Sequence, residues 1–214
     1  MKSLSTLVLA LVLLTSCQDN HKKASEQQPK TTEKLQSAQW ILDEDSSSVH
    51  WTGYKTTGKI PVKGVFKTFK IKGVKPATDL VSALQNAQAE INIYSIFSDN
   101  EERDNKLIGK LFENMTDTQN IYARIEKIEA DGQSAMMTIN MNAHEKTVPV
   151  QLQIDENTGK ISLNGKIDLL KDFEANNALE QFHKACFNKH KGEDGVSKTW
   201  SEVGFSAELV FKRK

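Results

Sequence analysis

The sequence predicts an all-β fold, an antiparallel sandwich or barrel of eight or nine short strands with one or two short helical insertions. Three observations predict it. From Trp40 onward, apolar residues recur at every second position in short runs. The runs are joined by polar segments that supply the Asn and Gly that turns require. One face of each run is apolar while the other carries Lys, Gln, Glu or Thr, so each strand has one face to bury. Closing the sheet on itself buries that face and leaves no free edge, which favours a barrel.

Taken in order, strands are expected at 40–43, 49–55, 62–71, 89–96, 121–128 and 135–141. The segment 79–85 reads equally as a short helix or an irregular strand. The clearest pair follows: Val148, Val150, Leu152 and Ile154, then Ile161, Leu163, Gly165, Ile167 and Leu169. Between them the turn residues Asp155 to Lys160 predict a hairpin. The last strand alternates Val203, Phe205, Ala207, Leu209 and Phe211 with Glu202, Ser206, Glu208 and Lys212. Two helices are expected. Residues 100–115 carry Leu107, Ile108, Leu111 and Phe112 at helical spacing; residues 173–190 follow Asp172 as N-cap and align Leu179, Phe182 and Cys186. Eight strands close around an interior that either fills with side chains or holds one small ligand. Alternation alone leaves both open.

The N-terminus reads differently. Lys2 precedes the apolar run Leu7 to Leu14, which ends in Leu14-Thr15-Ser16-Cys17. A basic residue, a short apolar stretch and small residues before the cut describe a secretory signal at 1–16. An aliphatic residue, two small ones and then Cys match a bacterial lipobox, whose thiol takes a diacylglyceryl group. Cys17 is therefore the expected lipidation site, and two or more acyl chains, palmitate among them, hold a protein stably on a membrane. Residues 17–38 then read as a polar tether of roughly 25 Å reach, with a folded domain at 39–214. Gln18 rather than Asp after the anchor favours the outer membrane, facing the periplasm. With Cys17 acylated, Cys186 has no disulfide partner.

Composition sets the exclusions. The 214 residues hold 28 basic and 28 acidic side chains, and this balance argues against a nucleic-acid partner, which needs a cationic surplus. No P-loop, dinucleotide fingerprint, nucleophile elbow or HExxH motif is present, so no cofactor, metal or catalytic residue is assigned.

Several stretches resemble one family. Lys63-Gly64-Val65-Phe66 resembles the "v-x-G-x-F" segment of YceI-like, polyisoprenoid-binding proteins. Ser95-Ile96 followed by Arg103-Asp104 and Leu107 resembles its "S-I-x-T…R-D-x-x-L" stretch, leading into Leu111-Phe112. Residues 137–152 resemble its strand-turn-strand. This chain departs in three places: Phe97-Ser98-Asp99 stands where Thr is usual, Asn142-Ala143-His144-Glu145 replaces a turn with Gly, and 173–199 is an added segment. The resemblance implies an exported, lipocalin-like eight-stranded antiparallel barrel with a helix near its mouth, no catalysis, and an apolar tunnel for a polyprenyl lipid or quinone.

In such a tunnel the candidate contacts of the lipid tail are Trp51, Phe66, Ile91, Ile93, Val150, Leu152 and Phe205. At the mouth, Arg103 would meet the head group and Asp104 would hold the Arg in place; a local salt bridge or helix cap explains the same pair. His183, Cys186 and His190 fall near one helical face and would suit a transition metal, or Cys186 simply continues the apolar stripe. His144-Glu145 lies in a turn without a second His. The rival function is a cell-envelope interaction module with a filled core, its partner surface at 173–200 and Trp200 or Phe187 as anchors.

Overall fold

The computed structural model describes residues 38–214. The readings for the signal segment 1–16, for Cys17 and for the tether up to residue 37 lie outside the described residues.

Ten strands form one antiparallel sheet: β1 (Trp40–Lys55), β2 (Ile60–Phe66), β3 (Phe69–Lys72), β4 (Gln88–Asn92), β5 (Ile96–Phe97), β6 (Asn120–Ile128), β7 (Ser134–Met141), β8 (His144–Asp155), β9 (Lys160–Asp168) and β10 (Glu202–Arg213). Their order is β3-β4-β6-β7-β8-β9-β10-β1-β2-β5. β2 and β3 are separated in sequence only by Lys67 and Thr68, yet β3 ends the order on one side and β2 lies one place from its end on the other. The chain itself thus carries the sheet round into a barrel. Ser95 fastens the seam: its hydroxyl donates to the Asn92 carbonyl and accepts from the Thr68 amide at 3.0 Å, while its carbonyl accepts from the Lys67 amide.

The strand count exceeds the eight or nine expected because the run expected at 62–71 breaks at that seam and short β5 pairs separately with β2. In the opposite sense, 40–43 and 49–55 are one strand. β1 runs through a bulge between Asp43 and Ser48, where register with β10 shifts. Polar side chains of the bulge cap nearby backbone groups: Ser47 Oγ accepts from the Val210 amide of β10, and Glu44 accepts from the Ile71 amide of β3.

Register fixes two ends. At one, Trp40 pairs with Arg213, Asp155 with Lys160, and Gln88 opens β4. Here lies α1 (Leu80–Leu84), resolving the ambiguous 79–85 as a helix capped by Asp79, whose carboxylate accepts from the Ser82 amide at 2.8 Å. Glu156 ties this end together, accepting from the Leu80 amide and the Trp40 indole. At the other end, Lys55 pairs with Ile60, Glu202 with Asp168, and Met141 with His144.

Both larger helical segments leave from that second end. The first is capped by Asn100 and changes pitch, from α2 (Glu101–Lys106) to a π turn (Leu107–Leu111) and a 3₁₀ turn (Phe112–Asn114). The second, α3 (Asn176–Cys186), starts later than expected. Asp172 is not its cap, because its carboxylate accepts from the Asp168 amide in the preceding turn and pairs with Lys146. Among the described residues no helix is long and apolar enough to cross a membrane.

Candidate ligand-binding cavity

Inward positions on the central strands meet in one rung. Gly165 of β9 pairs with Phe205 of β10, Phe205 with Trp51 of β1, and Trp51 with Gly64 of β2. The two aromatic rings lie over the two glycines. A methyl group at Gly64 would stand 2.5 Å from Trp51 Cζ2 and from the Phe97 carbonyl oxygen, and one at Gly165 would overlap the Phe205 ring. Only glycine admits these rings so close to the sheet, which is how Trp51 and Phe205 fold against the wall and leave the middle of the barrel open.

What they leave is a cavity of about 210 Å³. A single water needs roughly 10–15 Å³, so the space is far larger than a packing fault. Its walls are Val49, Trp51, Phe66, Ile91, Ile121, Ile125, Met137, Ile139, Leu163 and Phe205, with Leu84 and Ala87 toward α1. Leu107, Leu111 and Phe112 of the changing-pitch helix close one side, the Phe112 ring meeting Phe66 edge-on at 6.4 Å between centroids. Leu179 and Phe182 of α3 complete the lining with Thr199 and Trp200. Several inward side chains, Ile121, Ala123 and Ala207 among them, keep accessible surface because they face this space rather than one another. Water held here would find few hydrogen-bond partners, so the walls select an apolar guest.

Several polar groups nearby are engaged by protein partners. Arg124 borders the wall, and its guanidinium pairs with Glu126 at 2.6 Å and Glu145 at 3.1 Å. Thr199 Oγ1 lies 2.9 Å from His183 Nδ1 and 2.6 Å from His190 Nδ1. A hydroxyl has one proton, so one ring accepts it and the other donates. Burial first, then the charge of Lys55 and of neighbouring groups, pushes the His190 pKa down to about 4, which keeps that ring neutral at physiological pH. Burial likewise pushes the Cys186 thiol up, away from thiolate reactivity. Among the described residues no three His, Cys, Asp or Glu side chains gather as a metal-binding group.

Of the residues singled out in the sequence, Trp51, Phe66, Ile91 and Phe205 line the cavity. Ile93, Val150 and Leu152 are fully buried but lie outside the lining. Arg103 and Asp104 close on Ser98: Arg103 Nε donates to the Ser98 hydroxyl and Nη2 to its carbonyl, both at 2.7 Å, and Asp104 accepts from the Ser98 amide and hydroxyl. The pair thus clamps the turn into α2, and neither residue is in the lining. His144 bonds the Asn142 carbonyl and faces Glu174 at 3.6 Å. Phe187 is exposed beside His183 and Lys191, whereas Trp200 turns into the wall and donates to the Thr56 carbonyl. Sequence reasoning missed the lining alanines and Thr199. The signal for the alanines was small residues at inward positions, which alternation by itself does not weigh.

Two solved structures share this architecture at TM-scores above 0.5. A barrel domain from Saccharophagus degradans, described as polyisoprenoid binding and implicated in plant cell wall breakdown, superposes with a TM-score of 0.57 at 12% identity. The match covers 83% of this chain and 99% of that one. BcnA of Burkholderia cenocepacia superposes with a TM-score of 0.54 at 19% identity, covering 79% and 98%. The Campylobacter jejuni YceI protein gives 0.43 at 17% identity, covering 72% and 85%. No curated protein sequence matches significantly. The model of the YceI-like domain matches residues 40–214, and the chain belongs to that family.

Proposed function

We propose that the barrel binds and shelters an isoprenoid-type lipid, a polyprenyl chain or a quinone, and that it does so by sequestration rather than catalysis. The observation that carries this reading is the cavity of about 210 Å³ with walls that are almost wholly apolar. The description of the Saccharophagus degradans domain as polyisoprenoid binding supports the same ligand class. Burying several hundred Å² of tail at ~25 cal/mol per Å² gives on the order of 10 kcal/mol gross. Association costs of several kcal/mol reduce this to an affinity that still permits release. Leu107, Leu111, Phe112, Leu179 and Phe182 are the part of the wall contributed by the helical segments that leave from the second end.

The lipobox-like Leu14-Thr15-Ser16-Cys17 supports a second element of the proposal: export, acylation at Cys17 and display on a membrane of the cell envelope, outer membrane preferred. Protein purified without detergent, extracted and analysed by mass spectrometry, tests the binding. A stoichiometric isoprenoid is expected, and an empty extract from folded protein would overturn it. Membrane fractionation of Cys17→Ser tests the anchor; unchanged membrane retention would overturn that part alone.

A further inference from the structure

A guest must pass some part of the wall to reach the cavity, and the parts differ in how they are fastened. At the first end Leu80, Ala83 and Leu84 of α1 are at most 1% exposed, and Trp40 is held there by Glu156. Around the sides, each neighbour in the order β4-β6-β7-β8-β9-β10-β1-β2 is joined to the next by backbone hydrogen bonds, so parting two strands breaks several at once. At the second end the stretch 198–200 is bonded to β1 and the turn after it: the Thr56 amide donates to the Lys198 carbonyl at 2.8 Å and the Trp200 amide to the Tyr54 carbonyl at 3.2 Å. The α3 region is tied through Asn142 to the Phe173 carbonyl and through His183 and His190 to Thr199.

The segment 101–114 is fastened only at its ends. Arg103 and Asp104 clamp its start to Ser98, and just past its end the Thr116 amide donates to Asn142. From 105 to 115, every hydrogen bond among the described residues is local. Glu102 and Lys189 link the segment to the α3 side at 3.3 Å, but both side chains are exposed and water weakens such a pair. Yet Leu107, Leu111 and Phe112 of this loosely held stretch are wall residues. Its pitch is unusual as well. The Phe112 amide is shared between the carbonyls of Ile108 and Leu107. This π turn brings Leu107 and Phe112, five residues apart, into one wall, where a regular α-helix would set them about 140° apart. Gly109 sits in the turn, and Asn114 Nδ2 donates to the Gly109 and Lys110 carbonyls at 3.3 and 3.2 Å. Single π turns inside helices recur at functional sites.

We propose that residues 105–115 are the gate of the cavity. Held at the Ser98 clamp and at Asn142, the segment unwinds at the π turn and swings out. It carries Leu107, Leu111 and Phe112 away from Phe66, and it closes again behind the guest. The gate concerns entry to the cavity and not the identity of the guest, so the probe is a neutral apolar fluorophore, N-phenylnaphthylamine, rather than a prenyl lipid. Stopped-flow fluorescence gives its entry and exit rates, and titration gives its Kd. A methyl group at Gly109 meets only Glu113 Oε2, at an ordinary 3.7 Å, and narrows the backbone freedom that the unwound turn needs. Gly109→Ala is therefore expected to slow entry and exit alike, about fivefold, with Kd unchanged because the empty and loaded states are both closed. Asn114→Ala releases the two carbonyls and is expected to speed both rates about threefold, again at constant Kd. Unchanged rates in both variants would place entry elsewhere and overturn the gate while leaving lipid binding intact. A changed Kd with only the exit rate altered would mean that these residues merely pack against the guest, and would overturn the gate too. Failure of wild type to take up the probe would overturn the gate and the open cavity together.

Discussion

Two regions of the same barrel are built from the same kinds of residue and end up in opposite states. Near α1, the space between strands is plugged. Leu80, Ala135, Val150 and Ile161 are at most 2% exposed, and Trp40 and Phe211 close over them. Toward the middle and the α3 end, the inward face is hollow. The difference lies in side-chain size rather than in a break of the sheet, because the β9–β10 and β4–β6 pairings keep one register along their length. In the hollow, Ala89 stands opposite Ala123, Ala207 stands between Val49 and Leu163, and Gly64 and Gly165 sit beneath aromatic rings. Among the described residues no helix side chain fills the volume these small residues leave. A ligand site here is core that small residues have left unfinished.

Matched truncations sharpen the contrast most. Leu80→Ala in the plug removes a fully enclosed side chain and is expected to cost about 3–5 kcal/mol, the range for buried leucines whose surroundings cannot collapse. Ile121→Ala in the hollow removes a side chain that already faces empty space, and is expected to cost less than about 1.5 kcal/mol. Urea unfolding of both variants decides; equal losses would mean that the hollow is packed in solution.

Mild acid should act first on the hollow end. His190 is held neutral in the folded protein, with a pKa of about 4 against 6.5 for a free histidine. Between those values the unfolded chain binds the proton more readily than the folded one. The stability tied to this group is therefore fully present above pH 6.5 and is lost as pH falls toward 4, up to about 3 kcal/mol. The shifted carboxylates Asp43, Asp79 and Glu102 are held below their ordinary range by their hydrogen-bonded partners, so their loss comes at lower pH. From pH 7 to 4.5, wild type should lose stability more steeply than His190→Gln, and amides of α3 and 187–200 should lose exchange protection before those of α1. Parallel slopes for the two proteins would show that the His183–Thr199–His190 contact does not fasten this end.

Refilling the hollow is a milder test. Ala123→Leu is expected to lower retained isoprenoid about tenfold with the melting temperature unchanged or raised, since the added methylenes enter empty volume. Retention at the wild-type level would place the lipid elsewhere.

These contrasts mark how far the sequence could be read. Period-2 rows at 148–154, 161–169 and 203–211 identified which side chains point inward, because alternation is a local property of strands. Whether the inward rows meet is not local: it depends on Ala89 facing Ala123 across strands whose pairing only the fold reveals. Val150 and Leu152 have the same alternation as Phe205 yet lie outside the lining, while Phe205 folds down on a glycine from a neighbouring strand. Continuity of β1 was hidden because 44–48 is Glu-Asp-Ser-Ser-Ser, which reads as a loop and is a bulge.

The smallest effect concerns the turn between β7 and β8, at the second end of the barrel. Asn142 and Ala143 both have positive φ, 53° and 57°, the pattern of a tight hairpin turn that glycine usually serves. Asn tolerates this region; Ala gains nothing from it. The strain persists because Asn142 is held from several sides: its side chain accepts from the Thr116 amide and donates to the Phe173 carbonyl, and its amide donates to Thr118. Ala143→Gly should therefore stabilise the protein by about 1 kcal/mol, the relief of a left-handed alanine less the added freedom of the unfolded chain. Because Asn142 ties this turn to the segment leading into α3, the gain should appear as slower amide exchange at the hollow end and leave exchange in the plug unchanged. A uniform change across both regions would mean that the turn acts on the whole barrel and not on the end it anchors.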